Sequence, residues 1–136
     1  MKVTIDANVL FSCLIKDSVT RKAFFNPALD LYAPAFLLTE LTKYISTIQR
    51  KSGLNIQEAS LLIARMISQI TFVNDDELKP YLPAAAALTK DSKDWLYLAC
   101  ALNENTIIWS NDKEFKKQKR VTIKTTKEMI EKEGSI

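Results

Sequence analysis

The sequence predicts an α/β fold built on a mainly parallel β-sheet with helices on both faces, and three observations carry that prediction. Short β-branched or apolar runs (residues 3–5, 29–33, 71–73, 106–109 and 121–123) alternate with stretches of helical periodicity. Two of those runs lead directly into an aspartate with an amide or hydroxyl beside it: Val3-Thr4-Ile5 into Asp6-Ala7-Asn8, and Thr106-Ile107-Ile108-Trp109 into Ser110-Asn111-Asp112. The length of 136 residues suits one domain, 1–136, and 47% hydrophobic with 26% charged residues is enough apolar material for a sizeable core.

In chain order, residues 3–5 read as a buried strand because β-branched side chains suit a pleated, packed surface. Ligands bind at the carboxyl ends of strands in a parallel sheet, so Asp6 and Asn8 are aimed at a candidate site. A strand-ending aspartate serves as often as a turn former or helix cap. Residues 9–25 read as one helix broken by Asn26-Pro27, and 29–33 as a second strand ended by Pro34. Residues 35–51 form the clearest amphipathic helix, with Gly53 as its C-cap. Phe36, Leu37, Leu41, Tyr44 and Ile48 share one side, and Glu40 falls inside their stripe. A carboxylate on a core-facing stripe is costly without a cation or hydrogen bonds to compensate it. Glu40 therefore either pairs with a lysine or arginine or points into a site.

Asn55 and Glu58 have capping-box spacing, and Ile56, Ala59, Leu62, Ile63, Met66, Ile67 and Ile70 form a stripe for the core or a dimer surface. Residues 71–73 are a short strand stopped by Asn74-Asp75-Asp76. Residues 77–88 are helical, with Pro80 and Pro83 tolerable only near a first turn or at a kink; Asp75, Asp76 and Glu77 favour the helix dipole there. Asp91-Ser92-Lys93-Asp94 introduces residues 95–102, apolar nearly all round and so a deeply buried helix. Capping accounts for one of Asp91 and Asp94 and leaves the other spare at its mouth. A final strand at 121–123 and a helix at 125–132, with Gly134 loosening its end, complete the chain, which has no internal repeat, linker or low-complexity segment.

Absences narrow the chemistry. With no histidine, Ser-His-Asp catalysis and histidine-based zinc sites are excluded. Two glycines cannot build a phosphate-cradling P-loop or a dinucleotide-binding turn. Cys13 and Cys100 sit in the apolar contexts FSCLI and LACAL, which mark buried, reduced packing residues. No apolar run approaches the ~20 residues that span a bilayer. Met1 leads into a strand instead of a signal peptide, so a cytoplasmic protein with no membrane association is expected. The net charge of +3 is unevenly placed. Lys113, Lys116, Lys117, Lys119, Arg120, Lys124 and Lys127 crowd the last quarter, and Lys16, Arg21 and Lys22 form a smaller group. The larger cluster is either a solvated face or a phosphate-tracking surface.

A parallel sheet puts Asp6 and Asp112 on the same edge, and helices that follow strands, including the one opened by Asp94, begin on that edge too. Glu40, near the start of its own helix, can lean over the same crevice. Four converging carboxylates repel unless a hard cation shares them, and all-oxygen ligation selects Mg²⁺ or Mn²⁺ over zinc.

The strand-Asp-x-Asn-Val-Leu opening, the Leu-Thr-Glu-Leu helix, Asp-x-x-Asp-Trp-x-Tyr-Leu-Ala and Trp-Ser-Asn-Asp together resemble the PIN domain, above all its stand-alone prokaryotic members, including VapC-type toxins. The resemblance covers essentially the whole chain, with the motifs in the family's order and spacing. It implies a three-layer α/β/α sandwich with a central, mainly parallel sheet, and a Mg²⁺/Mn²⁺-dependent endoribonuclease. It further implies that Asp6, Glu40, Asp94 and Asp112 are the catalytic, metal-binding acids. Asn8 and Ser110 would support them through hydrogen bonds, and Asp91 would act behind them. Family members often carry Glu-Glu in the second motif; here Thr39-Glu40 leaves Glu40 as the sole candidate. The products implied carry a 5′-phosphate and a 3′-hydroxyl, and the partners are RNA, an antitoxin protein and a second copy or more of the chain. Lys113, Lys116, Lys117, Lys119 and Arg120, directly after Asp112, would grip the RNA backbone.

Three other readings compete. A haloacid-dehalogenase-like phosphohydrolase expects a second aspartate where this chain has Asn8, and an acidic pair where it has only Asp112. A receiver-type phospho-acceptor expects an acidic pair at the first strand's end. A catalytically inactive PIN-like scaffold that binds RNA or protein is the alternative most compatible with the residues, since fold does not dictate activity.

Overall fold

The computed structural model describes residues 1–15 and 18–134. Five strands make one sheet: β1 (Lys2–Ile5), β2 (Asp30–Pro34), β3 (Ile70–Val73), β4 (Ile107–Trp109) and β5 (Ile123–Lys124). Their order is β3-β2-β1-β4-β5, and every pairing is parallel. Helices α1 (Ala7–Ile15) and α2 (Ser18–Phe24) connect β1 to β2, and α3 (Phe36–Lys43), α4 (Ile45–Ser52) and α5 (Ile56–Ser68) connect β2 to β3. Helices α6 (Asp75–Leu78), α7 (Leu82–Leu88) and α8 (Trp95–Glu104) lead to β4, and α9 (Thr126–Gly134) follows β5. Helix α8 lies against β1, β2 and β4 with α6 and α7 packed on it, while α1 gathers α2, α3, α4 and α5. The sheet is thus flanked by helices in the α/β/α sandwich expected from the sequence.

Strand β1 occupies the middle of the sheet. From it the chain winds outward to β2 and β3, then returns to lay β4 and β5 on the other side of β1. The order of winding therefore reverses at β1, and a crevice opens at the carboxyl ends of β1 and β4, the position where doubly wound sheets take ligands. Ile5 pairs with Trp109, and the Asp6 amide donates to the Trp109 carbonyl at 3.1 Å. Those contacts hold the two strand ends level. Val3, Ile5, Ile108 and Trp109 beneath them are fully buried.

Several elements differ in extent from their sequence expectation. The helix expected over 9–25 is two helices, α1 and α2; Lys16 of the smaller basic group lies outside the described residues. Both Nε and Nη2 of Arg21 donate to the Cys13 carbonyl near the end of α1, at 2.9 and 2.7 Å, so this cation is spent on a helix terminus. The helix expected over 35–51 breaks at Tyr44 (φ −107°, ψ 10°), and Gly53 caps the second half in the left-handed region at φ +72°. The Asn55–Glu58 capping box is formed reciprocally. The stripe it introduces is only partly core: Ala59 and Met66 are buried, whereas Ile56 is exposed. Residues 75–88 are three pieces, α6, a 3₁₀ turn (Lys79–Tyr81) and α7, with Pro80 and Pro83 in the opening turns of the second and third. Strand β5 starts later than expected because the buried Gln118 amide clips Val121, accepting from its N–H at 2.9 Å and donating to its carbonyl at 2.8 Å. Among the described residues no helix is long and apolar enough to cross a membrane.

Candidate active site

Each carboxylate reaches the crevice by a different local device. Asp6 stands at the junction of β1 and α1, where its carbonyl accepts from the Val9 amide at 3.1 Å and turns the chain. Its side chain is 8% exposed and accepts a 2.7 Å hydrogen bond from the Ser110 hydroxyl. Asp112 follows β4 across a short turn: its amide donates to Ser110 Oγ at 3.0 Å, and its Oδ1 accepts from the Glu114 amide. Asn8 joins the two strand ends, donating to Ser110 Oγ at 3.3 Å and accepting from the Asn111 amide at 3.4 Å. Asp91 caps the 3₁₀ turn Ser92–Asp94 by accepting from the Lys93 amide, which leaves Asp94 at the head of α8 with no cap bond from its side chain. Glu40, on α3, accepts a hydrogen bond from the Tyr97 hydroxyl one turn into α8.

These side chains meet in one cavity of about 480 Å³, a volume typical of ligand sites. Asp6, Asn8, Glu40, Asp91, Asp94 and Asp112 line it together with Phe11, Tyr44, Lys93 and Tyr97. The structure therefore brings all four candidate acids to one rim of the sheet. Ser110 lies just beneath, buried and holding Asp6.

The electrostatics are those of an anionic cluster short of countercharge. Burial pushes the Asp6 carboxyl up to about 6; the bonds from Ser110 and the Ala7 amide pull the other way, and the charges of Glu40 and Asp112 add to the rise. Asp94 is pushed up to about 7, by burial first and then by Asp91, Asp6, Asp112 and Glu40, all of them anions. Tyr97 is raised far beyond an ordinary phenol by burial and by its bond to Glu40, so it stays a hydroxyl donor. The Cys100 thiol, pushed up to about 12 by burial, is inert packing, as its apolar context predicted.

Among the described residues no three Asp, Glu or Cys side chains stand close enough to hold one ion as they are. The donor set itself fits a hard divalent cation: it is all oxygen, and its members raise one another's affinity for positive charge. Asp6, Asp94 and Asp112, with Glu40 beside them, are the residues that would hold such an ion.

The basic residues after Asp112 have different local surroundings. Lys113 is exposed beside the acids. Lys116 pairs with Glu128 of α9, and Lys117 pairs with Glu114. Lys119 donates to the Lys116 carbonyl. Arg120 lines a separate cavity with Asn105 and Thr106, at the amino end of β4 and so on the opposite edge from the acids. Lys93, which in the sequence is only part of a helix's lead-in, lines the acid cavity. Tyr97 is likewise visible in the sequence only as a motif residue. Its position three residues after Asp94, on the same face of one helix, is the signal that could have placed it at the site.

The sequence matches the PIN domain family over residues 4–133. No curated protein matches the chain at a significant level. Among solved structures, a chain in the crystal structure of VapBC2 from Rickettsia felis bound to a DNA fragment from their promoter is similar at TM-score 0.68 and 15% identity, over 92% of this chain and 98% of that one. At that identity the likeness concerns the fold.

Proposed function

This chain belongs to the PIN domain family, and we propose that it is a Mg²⁺- or Mn²⁺-dependent endoribonuclease that acts as the toxin of a toxin–antitoxin pair. The observation that carries the proposal is the gathering of Asp6, Glu40, Asp94 and Asp112 around one cavity at the point where the sheet reverses its winding. Buried carboxylates whose neighbours are other carboxylates are a poor design for stability and a good one for capturing a cation.

In this reading Asp6, Asp94 and Asp112 would hold the ion. When bound, the cation supplies a water of lowered pKa and offsets charge on the phosphate and the departing oxygen. Ser110 and Asn8 keep Asp6 and the Ser110–Asp112 turn in register. Glu40, steadied by the Tyr97 hydroxyl, orients the attacking water for in-line displacement. Lys93 and Lys113 meet the phosphate backbone at the cavity mouth. The products expected carry a 5′-phosphate and a 3′-hydroxyl. As partners we propose RNA, an antitoxin protein and a second copy of the chain, with action in the cytoplasm.

The test is incubation of the purified protein with single-stranded RNA and Mn²⁺, followed by sequencing of the ends. Mn²⁺-dependent internal cuts bearing 5′-phosphates support the proposal. RNA left whole, with no Mn²⁺ bound by calorimetry, would return the chain to the class of inactive scaffolds.

A further inference from the structure

Besides its carboxylates, the acid cavity has an aromatic and apolar wall formed by Phe11 and Ile15 of α1 and by Tyr44, Thr47 and Ile48. We propose that Phe11 and Tyr44 form a stacking site for one unpaired nucleobase of the bound strand. This rests on the nuclease reading above and deepens it.

The wall is not simply core that the cavity happens to touch. Tyr44 is 42% exposed, although its helical stripe marks it for burial. It stands at the break between α3 and α4, where its backbone leaves helical geometry. The rings of Phe11 and Tyr44 meet edge to face, with centroids 5.6 Å apart and planes at 74°, an arrangement that fixes aromatic rings relative to each other. The Lys43 ammonium stands 5.8 Å from the Tyr44 centroid. One cavity thus joins a carboxylate cluster to an aromatic pair, with the Lys43 ammonium over the Tyr44 ring.

Aromatic rings with cations alongside are how proteins bind single strands, and the contact tolerates any base because every base has a π-face. A phosphodiester seated at the acids carries its nearest base only a sugar away, and the acids and the aromatic pair line the same cavity. In a duplex that base is stacked between its neighbours and cannot reach the wall unless it is unpaired or extruded.

The test compares binding of a fluorescent single-stranded RNA, of the same strand with one abasic position, and of a duplex. Mn²⁺ is present and Asp6→Asn serves as the non-cleaving background; cleavage kinetics are followed in the otherwise wild-type chain. Tyr44→Ala is expected to weaken single-strand binding about tenfold and to raise KM more than it lowers kcat. Tyr44→Trp is expected to restore both, and duplex binding to be indifferent. The abasic strand should bind the parent protein more weakly but Tyr44→Ala almost as well as the intact strand does. Phe11→Leu, which keeps an apolar side chain in the helix, should act in the same direction as Tyr44→Ala. If Tyr44→Ala and Phe11→Leu both bind and cleave like their parents, the inference fails and the nuclease reading stands; a protein segment would then be the better occupant of the wall. If the wild-type chain never cleaves yet shows base-dependent, Tyr44-dependent binding, the nuclease reading fails and the stacking site survives. A wild type that neither cleaves nor binds RNA overturns both.

Discussion

The hydroxyl of Tyr97, on the buried helix α8, donates to the Glu40 carboxylate on α3. It bridges two helices 57 residues apart in sequence and fixes one acid relative to the other three. Tyr97→Phe keeps the ring's packing and removes only the bond. Cleavage is expected to fall about tenfold, the scale seen when a group that orients a metal-site residue is removed, with little change in Tm. Steady-state kinetics beside a thermal melt would decide it; full activity in Tyr97→Phe would mean that Glu40 needs no such restraint.

Asp6→Asn is nearly isosteric, and the new amide oxygen can still accept from Ser110. Mn²⁺-dependent cleavage is expected to drop more than about hundredfold, because a charged contact to the ion is worth several kcal/mol. The metal-free protein should be as stable as the wild type or more so, since one of several mutually repelling anions is gone. A folded Asp6→Asn protein that cleaves RNA normally would remove Asp6 from the chemistry.

Stability should depend on pH in a direction set by Asp6 and Asp94. Their folded values of about 6 and about 7 lie above the ordinary 3.8, so the folded chain holds these protons more tightly than the unfolded one. That contribution is full below pH 3.8 and is lost as the pH climbs through 6 and 7. Each group contributes a slope of up to about 1.4 kcal/mol per pH unit. Without divalent cation, Tm should therefore fall from pH 5 to pH 8, and Mn²⁺ should raise Tm more at pH 8, where it no longer competes with protons. A melt series with chelator and with Mn²⁺ tests this; equal Mn²⁺ stabilisation at both pH values would contradict it.

Position in space, not in sequence, should decide which cations bind RNA. Replacing Lys93 or Lys113 with Gln is expected to lower the slope of log K against log salt by about 0.7 for each single-strand phosphate that the side chain neutralises. Arg120→Gln, on the far edge of the sheet, should leave the slope unchanged. Filter binding across a salt series would separate them, and a large effect at Arg120 would point to a much longer RNA path.

Much of this site is legible in the sequence. A β-branched run that stops at an acid is a local signal, and it occurs twice, so Asp6 and Asp112 stand out. Glu40 is visible as a polar residue in an apolar stripe. The break at Tyr44 is not visible, because helical periodicity carries across it: Glu40, Tyr44, Thr47 and Ile48 still face one cavity. For the same reason, spacing alone cannot tell an aromatic that covers the core from one that lines a pocket. The path of the lysine-rich segment is not legible either. Eight residues after Asp112 the chain has already turned back through Gln118 toward the start of β5, and Arg120 is carried to the opposite edge.

The central position of β1 has a consequence for synthesis. Asp6 leaves the ribosome 104 residues ahead of Ser110, the residue that holds it. At about 5–20 residues per second, that is a delay of roughly 5–20 seconds. Throughout it β1 lacks one of its two neighbours and the crevice between β1 and β4 does not exist. A nascent or prematurely terminated chain therefore lacks the assembled acid cavity, which forms only once the β4 segment has been made and has docked.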